Sequence, residues 1–334
     1  MSLPDAAAII LWVGITFYAL FGGADFGGGF WDLVAGGSER GERPRATIQR
    51  SLTPVWEANH VWLIFCLVVL WTAFPEAFAA VMTTLYVPLT VAAFGIILRG
   101  SGFAFRKSIE GLSGRRAAGA TFAISSLLTP FFMGTVVGAI AAGNVPVEGN
   151  GDAFSSWLQP LPLLVGAIFV VSGAYLAAVF LVGDARRAGE EDMQRYFERR
   201  ALGAALVAGA LAVIGLFVLE SEASYVFDRL VSEGLPLVGL SLLCGAAVVL
   251  ALLRGWRRPL RPLAGGAFVA VIWGWGVAQF PYLLPTSLRI DQAAAPDATL
   301  TTVLIVFGVA AVLVLPSLFL LFTLAQKDIL ESEH

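Results

Sequence analysis

The chain has 334 residues, of which 58% are hydrophobic and only 13% are charged, and its mean hydropathy is +0.81. A soluble domain carries about 25% charged residues, so this composition excludes a soluble protein and indicates a polytopic α-helical membrane protein. The formal net charge of −3 identifies no partner, because in membrane proteins the distribution of charge matters more than its sum. We expect no nucleic-acid partner.

The cysteines and the N-terminal run place further bounds on the class. Cys66 and Cys244 both lie inside apolar runs, so we expect small core residues and no disulfide framework. The first apolar run has no basic N-terminal region and is long enough to remain a membrane helix, so no cleavable signal peptide is predicted. We therefore treat residues 1–334 as a single integral-membrane domain.

Nine apolar runs are long enough to cross a bilayer as helices. They predict an all-α polytopic membrane protein with about nine transmembrane helices, arranged as two four-helix bundles plus one peripheral helix. The first run extends from about residue 6 to residue 34, so we expect it to tilt or to include a distorted, glycine-rich end. The approximate centres of the runs are Ile15, Leu63, Val91, Phe131, Val170, Ala210, Ala246, Val271 and Val312.

The lysine and arginine residues alternate with these runs. Of the 21, only Arg229 and Arg289 fall on one side of the predicted bilayer, and the other 19 fall on the opposite side. The positive-inside rule therefore predicts an outer N-terminus and a cytoplasmic C-terminus. The loop 143–159 has no basic residue and is predicted to be outside and irregular. The charged segment 184–200 predicts a short amphipathic helical extension into the sixth run.

The stretch most informative about function is 51–65, SLTPVWEANHVWLIF, which opens the second run. Glu57, Asn59 and His60 lie within about one helical turn, where polar groups are costly unless they face a partner or water. A carboxylate near the cytoplasmic end of a membrane helix can have a raised pKa and pass protons inward. We therefore assign Glu57 and Asn59 to a candidate proton path.

His60 admits three interpretations. Together with Glu57 it forms the Glu-x-x-His pair of di-iron bundles, but such a site needs that pair on two helices and two further glutamates. The chain has one internal histidine, so a di-iron site is disfavoured and no metal ligands are assigned. Single axial ligation of a haem by His60 needs a shaped pocket. We favour an interhelical hydrogen bond.

The stretch 22–32, GGADFGGGFWD, places Asp25 in the first run. It is not a dinucleotide-binding loop, because the G-x-G-x-x-G spacing is absent. Gly23 and Gly27, four residues apart, favour close helix packing. Asp25 is either an interfacial residue that pairs with an arginine or a proton-handling carboxylate. Arg99, which closes the third run, is either a positive-inside anchor or a charge partner for Asp25 or Glu57.

The stretch 279–287, QFPYLLPTS, ends the eighth run on the predicted outer side. Gln279, Tyr282 and Ser287 supply hydrogen-bonding groups for a quinone or lipid head group, or for capping the helix. We favour capping, because prolines are common just beyond helix ends.

Four blocks in this order resemble subunit II of the cytochrome bd family of quinol:oxygen oxidoreductases. They are GADFGGG (23–29), PVWEANHVWLI (54–64), LRGSGFAFR (98–106) and QFPYLLPTS (279–287). The resemblance implies a non-catalytic subunit of the bacterial cytoplasmic (inner) membrane. Its partner, subunit I, would carry haem b and haem d and the quinol-oxidising loop.

The resemblance also carries expectations about individual residues and further partners. The acidic residue of the family's proton path falls on Glu57, and some members bind a structural quinone. The position of His60 is commonly another polar residue in the family, which disfavours a haem ligand there. A small single-span subunit and membrane lipids are further expected partners. The complex would generate a membrane potential without pumping protons.

Two other classes of membrane protein are alternatives to this one. A secondary transporter should show broken helices in paired halves with a midplane site, whereas Asp25 and Glu57 lie towards one face in the first two runs only. A purely structural membrane scaffold would lack the proton role, and Glu57→Gln with intact assembly separates the two. The scarcity of histidines predicts that the chain alone carries no stoichiometric haem.

Overall fold

The computed structural model describes the backbone of residues 1–37, 39–106 and 112–326, and side chains within these ranges except 52–58, 103–106, 112–118, 315, 318–319 and 321–326. The described chain contains twelve helices and one antiparallel two-stranded ribbon. In chain order they are α1 (Leu3–Leu33), α2 (Glu42–Ala73), α3 (Pro75–Thr84), α4 (Tyr86–Arg106), α5 (Leu112–Ala141), α6 (Pro160–Arg187), α7 (Glu191–Glu222), α8 (Ser224–Val231), α9 (Leu235–Leu253), α10 (Leu260–Gln279), β1 (Tyr282–Leu284), β2 (Leu288–Arg289), α11 (Ile290–Ala293) and α12 (Asp297–Gln326).

The helices account for all nine predicted spans. Within the described ranges, seven helices are long and apolar enough to cross a membrane, and the bent pair Asn59–Ala73 and Pro75–Thr84 makes an eighth if it counts as one span. The shorter apolar helix Tyr86–Gly102 contains the remaining predicted centre. The all-α class and the number of about nine helices are therefore confirmed. The division into two four-helix bundles and a peripheral helix stays a prediction.

The first run forms one uninterrupted helix of 31 residues. Its start is fixed by a capping box, in which the Asp5 amide donates to Ser2 Oγ and the Ser2 amide donates to the Asp5 carboxylate. Of the two expectations for this run, the distorted glycine-rich end is not found, and the tilt stays a prediction. The helix contacts α2, α5, α6, α10 and α12, and this central position allows its glycines to serve packing while the backbone stays helical.

The glycines of α1 bring it close to α6. A Cβ atom at Gly27 would lie 2.0 Å from the carbonyl oxygen of Gly173, and one at Gly23 would lie 3.7 Å from the Gly173 Cα. Trp31 Nε1 donates to the Ala174 carbonyl over 2.7 Å in the same contact. The close packing predicted from the four-residue spacing of Gly23 and Gly27 is thus confirmed.

The helix of the second run ends in a sharp bend. It stops at Ala73, and α3 starts at Pro75 at an angle of 116° to Asn59–Ala73. Proline is well suited to a first helical position, because its fixed φ matches the helix and no partner is needed for the missing N–H. At its other end α2 begins at Glu42, so the basic residues from Arg43 to Arg50 lie on a helix and not in a loop.

Ion pairs join the start of α2 to the turn between α6 and α7. Arg50 Nη2 lies 2.6 Å from Glu190 Oε1, and Thr47 Oγ1 donates to Glu190 Oε2 over 3.0 Å. The hydrogen bond from Arg50 holds the pKa of the Glu190 carboxyl below its usual range. The charged segment 184–200 supplies this turn and the first turns of α7, as the sequence predicts. The loop 143–159 is irregular, as predicted.

Candidate functional site

A buried ion pair joins α1 to α4. Arg99 Nη2 lies 2.5 Å from Asp25 Oδ1, and the two side chains are 2% and 1% exposed. The same nitrogen donates to the Asp25 carbonyl oxygen over 2.8 Å, and Nη1 donates to Ser126 Oγ on α5. An isolated buried charge is strongly destabilising. The two charges can be buried here because each compensates the other.

The surroundings of Arg99 fix its position. The guanidinium carbon lies 4.9 Å from the ring centroid of Phe26 and 4.3 Å from that of Phe122, within the range of cation–π attraction. Gly29 makes room for this arrangement, because a Cβ atom there would lie 2.0 Å from Ser126 Oγ and 2.9 Å from Arg99 Nη1. Arg99 is therefore an internal residue, and of its two interpretations these contacts favour that of a charge partner for Asp25.

Several buried polar atoms at this site lack a hydrogen-bond partner among the described residues. They include Asp25 Oδ2, Arg99 Nε and Asn59 Oδ1. Asn59 is 2% exposed and faces α1, where its side chain fills the space beside Gly22. Buried polar groups without partners are uncommon in folded proteins and call for an explanation such as bound water or a functional role.

A small cavity adjoins two of these three residues, Asn59 and Arg99. Asn59 and Arg99 line it together with His60 and Tyr18, and its volume is about 10 Å³. That is close to the space needed for one water molecule, which also requires two to four polar partners. The site thus combines a carboxylate–guanidinium pair, an amide and a water-sized space inside the helix bundle. Such a set of groups can hold and relay a proton.

Glu57 lies half a turn before Asn59 on α2, and its side chain is outside the described residues. The structure places its backbone on the helix that carries Asn59 towards α1. Arg99 and Asn59 are therefore brought together at one cavity, and Asp25 is joined to it through its ion pair with Arg99. The position of the Glu57 carboxylate relative to them stays a prediction.

The donor set does not fit a haem or a metal cluster. His60, the single internal histidine, is half-buried and lines the same cavity, whose size suits one water molecule and not a porphyrin. Among the described residues, no group of three or more His, Cys, Asp or Glu side chains is arranged to hold a metal ion. We therefore derive no haem or di-iron chemistry from this chain.

The second group of predicted residues lies at the end of α10. Gln279 Oε1 accepts from Trp275 Nε1 over 2.6 Å, and Gln279 Nε2 donates to the Leu283 carbonyl over 2.7 Å. Ser287 Oγ donates to the Leu284 carbonyl over 3.3 Å, while the Tyr282 ring packs edge-on against Tyr225. These contacts join α10 to the β1–β2 ribbon through side chains, and the interpretation of the three residues as a helix cap stays a prediction.

The two groups of residues lie far apart. Leu284 and Leu288 of the ribbon pack in one core cluster with Leu11. Leu11 precedes Asp25 by 14 residues on the continuous helix α1, which corresponds to about 21 Å along the helix axis. The structure therefore does not bring Gln279, Tyr282 and Ser287 into the site around Asp25.

Sequence reasoning missed Ser126 and Tyr18. Ser126 follows Ser125 in the middle of an apolar run, and hydroxyl side chains in membrane helices often hydrogen-bond across helices. The two serines in an apolar run therefore predict a hydrogen bond between helices, but they do not show that the partner is Arg99. Tyr18 lies in the first run seven residues before Asp25, and only the packing of α1 against α2 shows that it lines the cavity.

Comparison with known proteins gives a consistent result. The model of the family described as cytochrome bd terminal oxidase subunit II matches residues 3–325. The chain is 21% identical to the putative cytochrome bd menaquinol oxidase subunit II of Bacillus subtilis strain 168, over 96% of this chain and 95% of that one. It is 23% identical to the cytochrome bd ubiquinol oxidase subunit 2 of the same strain, over 94% and 92%.

A solved structure shows the same architecture. The bd oxidase from Geobacillus thermodenitrificans includes a chain that superposes with a TM-score of 0.78 at 25% identity, covering 97% of this chain and 98% of that one. This agreement gives no support to the secondary-transporter alternative. The match of the family model over nearly the whole sequence, together with this fold, shows that the chain belongs to the cytochrome bd terminal oxidase subunit II family and is a multi-pass membrane subunit of an oxidoreductase complex.

Proposed function

We propose that the chain supports a haem-bearing subunit I in a bd-type quinol oxidase, and that a cytoplasmic proton path enters through Glu57, Asn59 and Asp25. The observation that carries the proposal is a set of buried polar atoms that have no hydrogen-bond partner among the described residues and lie at or next to a water-sized cavity. A purely structural polar site would be expected to satisfy its own hydrogen bonds. Quinol is the proposed electron donor, because the relatives are named as menaquinol and ubiquinol oxidases.

The proposal assigns haem b and haem d to subunit I. His60 is the single internal histidine, and the space beside it is too small for a haem. Purified alone, the chain should show no Soret band, whereas the complex with subunit I should show haem b and chlorin absorption. One tightly bound haem per isolated chain would contradict this assignment and identify His60 as a ligand.

The residues of this chain can move a proton without any redox step of their own. Glu57 accepts a proton from cytoplasmic water at the start of the apolar part of α2. Water held by the Asn59 amide in the adjoining cavity relays it towards Asp25, whose ion-pair partner Arg99 lines that cavity. Arg99 and Ser126 hold Asp25 in place. Oxygen reduction on subunit I consumes the protons, so uptake from one side alone generates a potential.

The proton path is tested by oxygen uptake with excess reduced quinone, normalised to haem content. Glu57→Gln keeps the shape and the hydrogen bonding but cannot carry the proton, so it should leave the complex assembled and slow the reaction. Glu57→Asp should retain more activity, and Asp25→Asn should show a smaller decrease than Glu57→Gln. Wild-type rates in Glu57→Gln would mean that protons enter elsewhere and that Glu57 is structural.

The path also depends on the proposed orientation, with the N-terminus outside and the C-terminus in the cytoplasm. The distribution of basic residues supports it. Cysteines introduced at Glu39, between α1 and α2, and at Ser155, between α5 and α6, should react with impermeant reagents from opposite sides of the membrane. Labelling from the same side would contradict the orientation and the span count together.

A purely structural role for the site is the second candidate. The contacts of Arg99 with Asp25, Ser126, Phe26 and Phe122 join α1, α4 and α5, and such a pair can define helix register. Loss of the pair lowers the yield of assembled complex under either candidate. Under the structural alternative, substitutions at Asp25 leave the rate per haem unchanged.

A further inference from the structure

We propose that an anionic phospholipid binds to this chain, with its phosphate on Arg200 and an acyl chain in the groove between α1, α6 and α7. The groove, called here the Arg200 groove, is lined by Phe30 and Val34 of α1, Val171 of α6, and Arg200, Gly203 and Val207 of α7. Its volume is about 340 Å³. It is separate from the site around Asp25, and the inference does not depend on the proton path.

Arg200 marks the membrane boundary of α7. It is the last charged residue before residues 201–219, which contain no Asp, Glu, Lys or Arg. Gly203 and Val207 lie one and two turns further along the helix, inside the apolar part. A lipid whose head group contacts Arg200 would therefore have its acyl chain beside these two residues. The charge at the membrane boundary and the apolar groove deeper in the membrane match the head group and the acyl chain of a phospholipid.

Arg200 has no counter-ion within the described chain. No carboxylate oxygen there lies within 4.0 Å of its guanidinium, which stacks 3.2 Å from the Tyr196 ring centroid and donates from Nη1 to the Tyr196 carbonyl. Other partly buried arginines near this end of the bundle do have carboxylate partners: Arg45 with Asp32, Arg257 with Glu198, and Arg261 with Asp184.

This difference favours an anionic occupant. A guanidinium has five N–H donors, and one hydrogen bond to the Tyr196 carbonyl leaves several of them directed elsewhere. A phosphate matches the planar donors of arginine and supplies the missing negative charge. A neutral quinone would fill the apolar part but would leave Arg200 without a counter-ion.

The groove is a fixed feature of the packing and not a gap between loose side chains. Trp31 Nε1 donates to the Ala174 carbonyl over 2.7 Å and so holds α1 against α6 at its floor. A Cβ atom built at Gly203 meets no atom within 4 Å. An acyl chain can therefore lie against the backbone of α7 at this point.

The test uses the purified oxidase complex reconstituted in bilayers of phosphatidylglycerol and phosphatidylcholine, released into detergent and examined by native mass spectrometry. The wild-type complex should retain one phosphatidylglycerol in preference to phosphatidylcholine. Arg200→Gln should lower this occupancy at least tenfold. Arg199→Gln, which removes the neighbouring exposed charge, is the matched control and should retain the lipid.

A second variant fills the groove and leaves the charge in place. Gly203→Leu should also abolish retention, whereas Gly209→Leu, on the same helix and equally free of contacts, should not. This pair gives a result even if Arg200→Gln impairs assembly. Equal loss in Arg199→Gln, retention in Gly203→Leu, a retained quinone in place of phospholipid, or no preference for phosphatidylglycerol in the wild type would each overturn the proposal.

Discussion

The two polar regions of this membrane protein differ in how completely their hydrogen bonds are made. At the end of α10, both polar atoms of the Gln279 amide are paired within the chain. Around Asp25, one oxygen of the carboxylate and the Asn59 carbonyl oxygen are buried with no partner among the described residues. One region therefore forms a fully paired structural link between α10 and the ribbon, and the other leaves polar atoms available for water or a proton.

The comparison separates a polar residue that maintains the fold from one that is retained for function. Removing a fully paired amide leaves its partners unsatisfied and lowers stability, whereas removing a partly paired one need not. The position of a residue within its apolar run does not distinguish a structural polar residue from a functional one, because both regions lie at the ends of apolar runs. The hydrogen-bond partners distinguish them, and the following substitutions test the difference.

Arg99→Met is expected to have the largest effect. It leaves the Asp25 carboxylate buried without a counter-charge, and losing one partner of a buried pair typically lowers stability by about 3–5 kcal/mol. The measurement is the yield of haem-containing complex together with its thermal unfolding. The double variant Asp25→Asn with Arg99→Gln should recover part of the loss. A double variant as impaired as Arg99→Met would show that the pair is not the source of the effect.

Gly27→Ala is expected to have the next largest effect, because it tests the packing that surrounds the buried pair. The added methyl group would lie 2.0 Å from the Gly173 carbonyl oxygen, so α1 and α6 must separate, at a cost of about 1–3 kcal/mol. The thermal unfolding temperature should fall. Gly239→Ala on α9, where a Cβ meets nothing within 4 Å, is the control and should be unaffected or slightly more stable.

Gln279→Leu tests the fully paired region. It leaves the Trp275 indole N–H and the Leu283 carbonyl without their partner, which should lower stability by about 1–3 kcal/mol. Thermal unfolding and complex yield should fall, while the KM for quinol stays at the wild-type value. A raised KM with unchanged stability would instead indicate that Gln279 contacts the quinone.

The smallest expected effect concerns Glu190 at the turn between α6 and α7. Its pKa is lowered in the folded chain, chiefly by the hydrogen bond from Arg50. The folded value lies below the unfolded one, so the contribution is present above the unfolded pKa and is lost as the pH falls through the folded pKa. For a partly exposed pair it amounts to at most about 1 kcal/mol. Glu190→Gln should flatten the decline in stability on acidification, and an unchanged pH dependence would contradict this.

The fold class could be predicted from the sequence alone. The bilayer imposes both of the patterns used, the long apolar runs and the alternation of basic loops between its two sides. The sequence also identified Asp25, Asn59 and Arg99 as candidate site residues. It left the partner of Arg99 open between Asp25 and Glu57, because the choice depends on how the helices are rotated. It did not identify Ser126, because the sequence does not show which side chain on another helix a hydroxyl would contact. The bend between α2 and α3 could not be predicted from the sequence either, because a proline such as Pro75 can end an apolar run or start a new helix.

The most direct test of the central claim compares the two buried amides under the same substitution. Oxygen uptake is measured with excess reduced quinone and normalised to haem content in Asn59→Leu and in Gln279→Leu. Removing Asn59 should slow the reaction per haem with little loss of stability, because its carbonyl oxygen has no hydrogen-bond partner within the described part of the chain. Gln279→Leu should lower yield and keep the wild-type rate per haem. A wild-type rate per haem in Asn59→Leu would contradict the account and make the site around Asp25 structural.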